Sequence, residues 1–123
     1  MRTINCATTG SGIGAIRSVI ELIRSDRTAF ADVALYFGAR TPRAFAYADR
    51  LADWEKDRIR VNRVVSQPGD SGWTGLTGYV QTHLGPQPEG TIAFVVGQKS
   101  MVQSVTEALA NNGVPRKHVH LNF

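Results

Sequence analysis

A chain of 123 residues with 42% apolar and 20% charged side chains has the length and composition of one soluble globular domain, and points away from disordered, collagen-like and membrane-spanning classes. Its single cysteine, Cys6, excludes an internal disulfide, so a reducing, intracellular setting is expected, in the cytosol or an organelle. Fourteen Lys and Arg against 10 Asp and Glu give a net charge of +4, which favours an anionic ligand; the Arg residues are scattered, however, and no nucleic-acid motif accompanies them.

The first element is an apolar run, Thr3 to Thr8, with the pattern of a strand and no secretory signal before it. Thr9-Gly10-Ser11-Gly12-Ile13-Gly14 follows, then Ala15 to Arg24, where Ile16, Val19, Ile20 and Ile23 recur at helical spacing: an amphipathic helix entered through a glycine-rich turn. Asp32 to Gly38 is compact and apolar, as a strand buried on both faces requires. Thr41-Pro42 marks a helix start, and Phe45, Leu51 and Trp54 predict one helix from about Arg43 to Lys56. Arg60 to Ser66 reads as a strand ending in Gln67-Pro68-Gly69-Asp70, a turn signal.

Tyr79 to Leu84 is expected to be a short helix after Gly75 to Gly78. Thr91 to Val96 is the next buried strand, closed by Gly97. Lys99 to Asn111 carries Met101, Val105 and Leu109 at spacing four. Asn112-Gly113 and Pro115 end that helix, and His118 to Asn122 is a last short strand. Strands alternating with helices at this interval predict βαβ units, hence an α/β, doubly wound, five-stranded parallel sheet with order 3-2-1-4-5, in one domain over residues 1–123.

In such a sheet ligands bind beyond the carboxyl ends of the strands. Gly10, Gly12 and Gly14 stand there, where a missing Cβ lets backbone N–H groups approach a diphosphate at a helix N-terminus; a side chain at Gly12 is expected to enter the diphosphate volume. The spacing is G-x-G-x-G rather than G-x-G-x-x-G, and no Gly-Lys-Ser/Thr follows, which excludes a P-loop. Alone, the loop is equally well explained as a tight structural turn.

Several segments together are more specific. Thr9 to Ser18 is similar to the T-G-T/S-G-I-A/G-P-I-R-S loop of the ferredoxin-NADP reductase superfamily. Tyr36-Phe-Gly-Ala-Arg-Thr41, with Tyr47 and Trp54 after it, resembles that superfamily's second strand and next helix. Val65-Ser66-Gln67-Pro68 and Gly78-Tyr79-Val80-Gln81 resemble its adenosine segments, Val96-Gly97-Gln98-Lys99-Ser100-Met101 its C-G-x-x-x-M, and Asn122-Phe123 its terminus. The motifs are nearest to the plant kiwi-fruit-protein type of FAD/NAD(P)-binding oxidoreductase, a resemblance that adds the plastid to the compartments in view.

The resemblance implies an NAD(P)H-binding domain that passes hydride to a flavin, FAD, held by a domain or subunit outside these residues. An electron-carrier protein or a larger assembly would be a further partner. It implies pyrophosphate and nicotinamide ribose contacts from Thr9, Gly10, Ser11, Gly12, Ile13 and Gly14. Ser66, Gln67 and Tyr79 would hold the adenosine end, with Arg40 near it, and Gly97, Gln98 and Met101 would flank the nicotinamide. Tyr79 would stack on adenine, against the plainer reading that Tyr79 and Met101 pack helices onto the sheet.

Departures from the pattern carry equal weight. Relatives that take NADP have Arg where Gln67 and Thr77 stand, since a 2′-phosphate calls for forked cationic donors; NAD is therefore favoured, with Arg40 or Arg63 the nearby candidates to bind that phosphate. Val96 replaces a nicotinamide-facing Cys, Ala15 a loop proline, and Leu121 a Glu near the flavin. Turnover by this chain alone is not expected, and a non-catalytic subunit of the same fold is the alternative.

Elsewhere, His83, His118 and His120 lack partners at metal-ligand spacing, and Gly-Ser-Gly around Ser11 is not a nucleophile elbow. Cys6 inside a strand reads as a small buried hydrophobe, and Asp49, Asp53 and Asp57 as a solvated helix face.

Overall fold

The computed structural model describes residues 1–45 and 47–121. Six parallel strands form one sheet in the order β4-β3-β2-β1-β5-β6: β1 (Arg2–Thr9), β2 (Phe30–Ala39), β3 (Ile59–Val65), β4 (Leu76–Thr77), β5 (Ile92–Val96) and β6 (Val119–Leu121). Omitting the two-residue β4, the remaining five strands keep the expected 3-2-1-4-5 order. Strand β1 is the axis, paired with β2 on one side and β5 on the other, and its residues Thr3 to Thr8 are all buried.

Alternation along β1 divides the core. Ile4 and Cys6 face a layer made by α1 (Ile13–Arg24) and α2 (Ala48–Lys56), where Ile13, Ile16, Ile20 and Ile23 meet Leu51 and Trp54. Ala7 faces the other layer, in which α3 (Lys99–Asn111) sets Val102, Val105 and Leu109 against Ala34, Tyr36 and Val95. Burial holds the Cys6 side chain wholly out of solvent and pushes its thiol up to about 12, so this cysteine packs and does not react.

The structure corrects three local expectations. The helix expected from Arg43 starts only at Ala48: Pro42–Ala44 form a single 3-10 turn and Tyr47 takes a left-handed φ of 61°. Phe45 leaves the helical path to sit edge-on against Phe37 at 5.1 Å and beside Trp73 at 6.0 Å, so aromatic packing overrides the local helical signal. Tyr79 to Leu84 contains a 3-10 turn, Val80–His83, in place of an α-helix. Strand β4 was not visible as a periodic run because it has two exposed residues. It is held by the Gly78 N–H donating to the Val65 carbonyl at 3.0 Å and the Trp73 indole donating to the Leu76 carbonyl at 2.8 Å. The last strand ends its described course at Leu121; Asn122 and Phe123 lie outside the described residues.

The helical layer over β1 and β2 is tied by one ionic cluster. Arg24 donates from Nε to Asp57 at 2.5 Å and from Nη1 to both Glu21 oxygens at 2.9 Å, while the Trp54 indole donates to Glu21 at 3.4 Å. Partial burial alone would raise the Glu21 carboxyl, but its hydrogen bonds from Arg24 and Trp54 and the nearby Arg50 outweigh burial and hold it below its ordinary value. A carboxyl lowered in the folded state adds stability that is complete above its unfolded value and is lost as pH falls through the folded one. Glu21→Gln is therefore expected to cost about 0.5–1 kcal/mol at neutral pH and less in acid. Urea midpoints of the two proteins measured at pH 7 and pH 3 check this, the gap narrowing at the lower pH.

Candidate functional site

Because every strand runs the same way, the turns after β1, β2, β3 and β5 open on one edge of the sheet. A cleft of about 670 Å³ lies there, floored by Thr9, Gly10, Gly38 and Ala39 and walled by the Tyr79 to Gln81 turn and the start of α3. A smaller recess of about 370 Å³ continues from it between the Gly10 to Gly12 turn and Val96 to Gln98. Thr9, Gly10 and Gln98 border both, so the two form one trough across the strand ends.

The trough brings together most of the residues singled out in the sequence. Thr9, Gly10, Arg40, Ser66, Gln67 and Tyr79 border the larger part, with Gln98 and Met101 from α3 and the residue before it; Ser11, Gly12 and Gly97 border the smaller. Ile13 and Gly14 border neither. The Ile13 side chain is 2% exposed in the core, and Gly14 looks out from the first turn of α1. The turn after β3 is positioned by backbone bonds to β2, Ser66 N–H to the Ala39 carbonyl at 3.0 Å and Gln67 N–H to the Arg40 carbonyl at 2.8 Å. These set Arg40 beside Ser66 and Gln67.

Tyr79 does not pack onto the sheet: it is 63% exposed at the cleft wall, while Val80 and Leu84 make the packing contacts. Met101 does both, lining the cleft and packing against the α3 core. Gly38 fits closely under the same wall, where a Cβ would stand 3.1 Å from Val80 and 3.0 Å from the Thr9 methyl. Ser100, Ser104 and Gln81 also line the cleft; Gln81 and Ser100 stood inside motifs without a role of their own, and Ser104 was not singled out in the sequence. The serines lie beside the apolar stripe of α3, and their spacing of four was the available signal.

The three loop glycines do different work. A Cβ at Gly12 would run into Thr8 Oγ1 and fall 3.0 Å from the Val96 carbonyl, so Gly12 lets α1 approach the sheet. Gly10 meets nothing within 4 Å but holds a φ of +56°, the left-handed region natural to glycine. Gly14 has neither constraint. Gly12→Ala is expected to destabilise the fold by about 1–3 kcal/mol through overpacking. Gly14→Ala is expected to stabilise it by about 0.4–1 kcal/mol by restricting the unfolded chain. Chemical denaturation of the two variants should give shifts of opposite sign.

The electrostatics of the trough are one-sided. No carboxylate lines it among the described residues, and Arg40 is the one charged side chain that does. Neither α1 nor α3 has a side-chain N-cap or an acid in its first turn, so no internal anion meets either helix N-terminus, and the first turn of α3 lines the trough. Arg63, the other candidate cation, is held by Glu55 of α2 at 3.1 Å and does not line the cleft.

Residues 7–107 match the family model described as oxidoreductase NAD-binding domain. The chain is an NAD-binding domain of the ferredoxin-NADP reductase superfamily. This domain is 35% identical over 95% of its length to fruit protein pKIWI502 of Actinidia deliciosa, of which it covers 38%. It is 36% identical over 92% of its length to ferredoxin-NADP reductase B of Sorangium cellulosum, covering 50% of that protein. It superimposes with a TM-score of 0.76 on a ferredoxin NADP+ reductase from Neisseria gonorrhoeae solved with bound FAD and NADP, at 22% identity and covering 98% of this chain and 55% of that one. The NAD-binding domain thus spans about half or less of these two curated relatives.

Among the described residues no helix is long and apolar enough to cross a membrane, and no three His, Cys, Asp or Glu side chains gather where they could share a metal ion. His83 Nε2 pairs with the Thr77 carbonyl at 2.7 Å and His120 stacks on Phe94 at 5.1 Å.

Proposed function

We propose that this domain binds NADH, and NADPH less well, along the trough at the carboxyl edge of the sheet, and presents the nicotinamide to FAD held by a separate domain or subunit. The observation that carries the proposal is the continuity of the trough: it joins an exposed aromatic wall at Tyr79, a glycine turn at a helix N-terminus, and a second glycine turn at Gly97, with no carboxylate along the way among the described residues. A dinucleotide diphosphate needs backbone N–H donors and a field free of negative charge, and both are present in the middle of the trough.

The chain's own residues then take these roles. Tyr79 stacks on the adenine, and Ser66 with Gln67 receives the adenosine ribose. Thr9 and the Gly10 to Gly12 backbone hold the diphosphate. Gly97, Gln98 and Met101 border the nicotinamide. A Cβ at Gly97 would lie 2.7 Å from the Met101 sulfur, so glycine there keeps the thioether against the turn. Hydride transfer is the chemistry that nicotinamide and flavin supply when bound, and the domain's part is orientation. Val96 offers no donor to the ring, so no side chain here is assigned a catalytic role.

NADH is favoured because Gln67 and Thr77 give a 2′-phosphate no cation, leaving Arg40 as the one charged side chain among the described residues that lines the cleft. Titrating the 123-residue chain with NADH and with NADPH, followed by nucleotide fluorescence, tests the proposal. Saturable NADH binding is expected, with NADPH weaker. Gln67→Arg should improve NADPH by about tenfold, the effect of one added charge-assisted hydrogen bond. Binding of neither nucleotide at millimolar concentration would contradict the proposal and favour a non-catalytic subunit, and a native preference for NADPH would overturn the cofactor choice alone.

A further inference from the structure

The serines of α3 have no part in the contacts assigned so far. Ser100 and Ser104 line the larger cleft from one wall, across from Tyr79 to Gln81 on the other. Four residues apart, they sit one above the other on the helix, with Cβ atoms roughly 5–6 Å apart. Side chains on an α-helix tilt toward its N-terminus, and α3 starts at the cleft, so both hydroxyls lean into it.

Their hydroxyls are also uncommitted. Three hydroxyls elsewhere close back on a local carbonyl: Thr82 on Tyr79 at 2.7 Å, Thr91 on Pro88 at 2.7 Å and Ser25 on Leu22 at 2.5 Å. Neither Ser100 nor Ser104 makes a side-chain hydrogen bond of this kind, nor any other among the described residues, and neither caps α3. Two free hydroxyls on the wall of a concave site are donors and acceptors without charge. They suit the oxygens of a sugar and of a phosphate already met by backbone N–H groups.

We propose that Ser100 and Ser104 form a hydroxyl ledge that hydrogen-bonds the adenosine ribose and its 5′-phosphate. The ledge rests on the nucleotide proposal above and adds to it a wall of contacts on α3. Its place in the trough favours one half. The cleft it lines also holds Ser66, Gln67 and Tyr79, whereas the recess at Gly12 and Val96 does not include either serine. Gln98 and Met101 line that cleft as well, so the adenosine assignment is part of the proposal and the mononucleotide titrations below decide it. Hydroxyls at that spacing can reach a sugar oxygen and a phosphate oxygen together, and the ledge is assigned one contact to each.

Calorimetric titration with three probes, NADH, 5′-AMP and nicotinamide mononucleotide, tests the ledge. The double variant Ser100→Ala/Ser104→Ala should fold normally, since alanine is the better helix former. It should weaken NADH and 5′-AMP by about tenfold, as expected for two neutral hydrogen bonds, and leave nicotinamide mononucleotide within about twofold. Ser100→Thr/Ser104→Thr, which keeps both hydroxyls, should retain most of the affinity. Unchanged 5′-AMP binding in the alanine variant, or equal losses for both mononucleotides, would overturn the ledge while leaving the nucleotide site standing. Failure of the unmodified chain to bind NADH would overturn the nucleotide site and the ledge with it.

Discussion

The constraint on which the rest depends is the burial of β1 between two parallel neighbours. A strand paired on both sides and covered on both faces can accept its helix only if the chain turns sharply at its end, and α1 must then lie close against the sheet. Gly12 is where that closeness is decided: a single carbon there would run into Thr8 and into the Val96 carbonyl of β5. With α1 pressed down at that point, the turn after β1 and the turn after β5 are brought side by side, and the trough between them follows. The site is a by-product of how the central strand is packed.

Polarity follows from the same geometry. Parallel strands place helix N-termini on the edge where strands end, so the backbone itself supplies positive partial charge at the trough. The side chains do not oppose it. Acidic groups near the sheet are engaged elsewhere, Glu55 with Arg63, Asp32 with Arg60, and Glu21 and Asp57 with Arg24, all in ion pairs outside the trough. Among the described residues Arg40 is the one charged side chain that lines the cleft. The net charge of +4 would not by itself have revealed this division.

The long elements were legible because their signals are local and strong. The stripe from Ile13 to Ile23, the apolar run of β2 and the glycines after β1 and β5 each state their structure within ten residues or so, and ordered motifs from Thr9 to Met101 identified the superfamily. What was not legible depends on contacts between distant residues. Phe45 leaves the helix expected for it because Phe37 and Trp73 wait on other elements. Strand β4 exists because β3 offers it an edge. The packing role of Gly12 was not legible for the same reason: its neighbours Thr8 and Val96 are set by the fold, and no spacing rule announces them. Ser100 and Ser104 were overlooked because the stripe of α3 drew attention to its apolar side.

The central claim is that a pyridine nucleotide lies along the carboxyl edge of this sheet. Amide chemical shifts of the isotopically labelled chain, followed during titration with NADH, address it residue by residue. The account predicts perturbations concentrated at Gly10, Gly38, Ser66, Tyr79 and Gln98, and little change at Arg58, Gly90 and Gly113 on the opposite edge. Perturbations centred on that opposite edge, or none at saturating nucleotide, would contradict it.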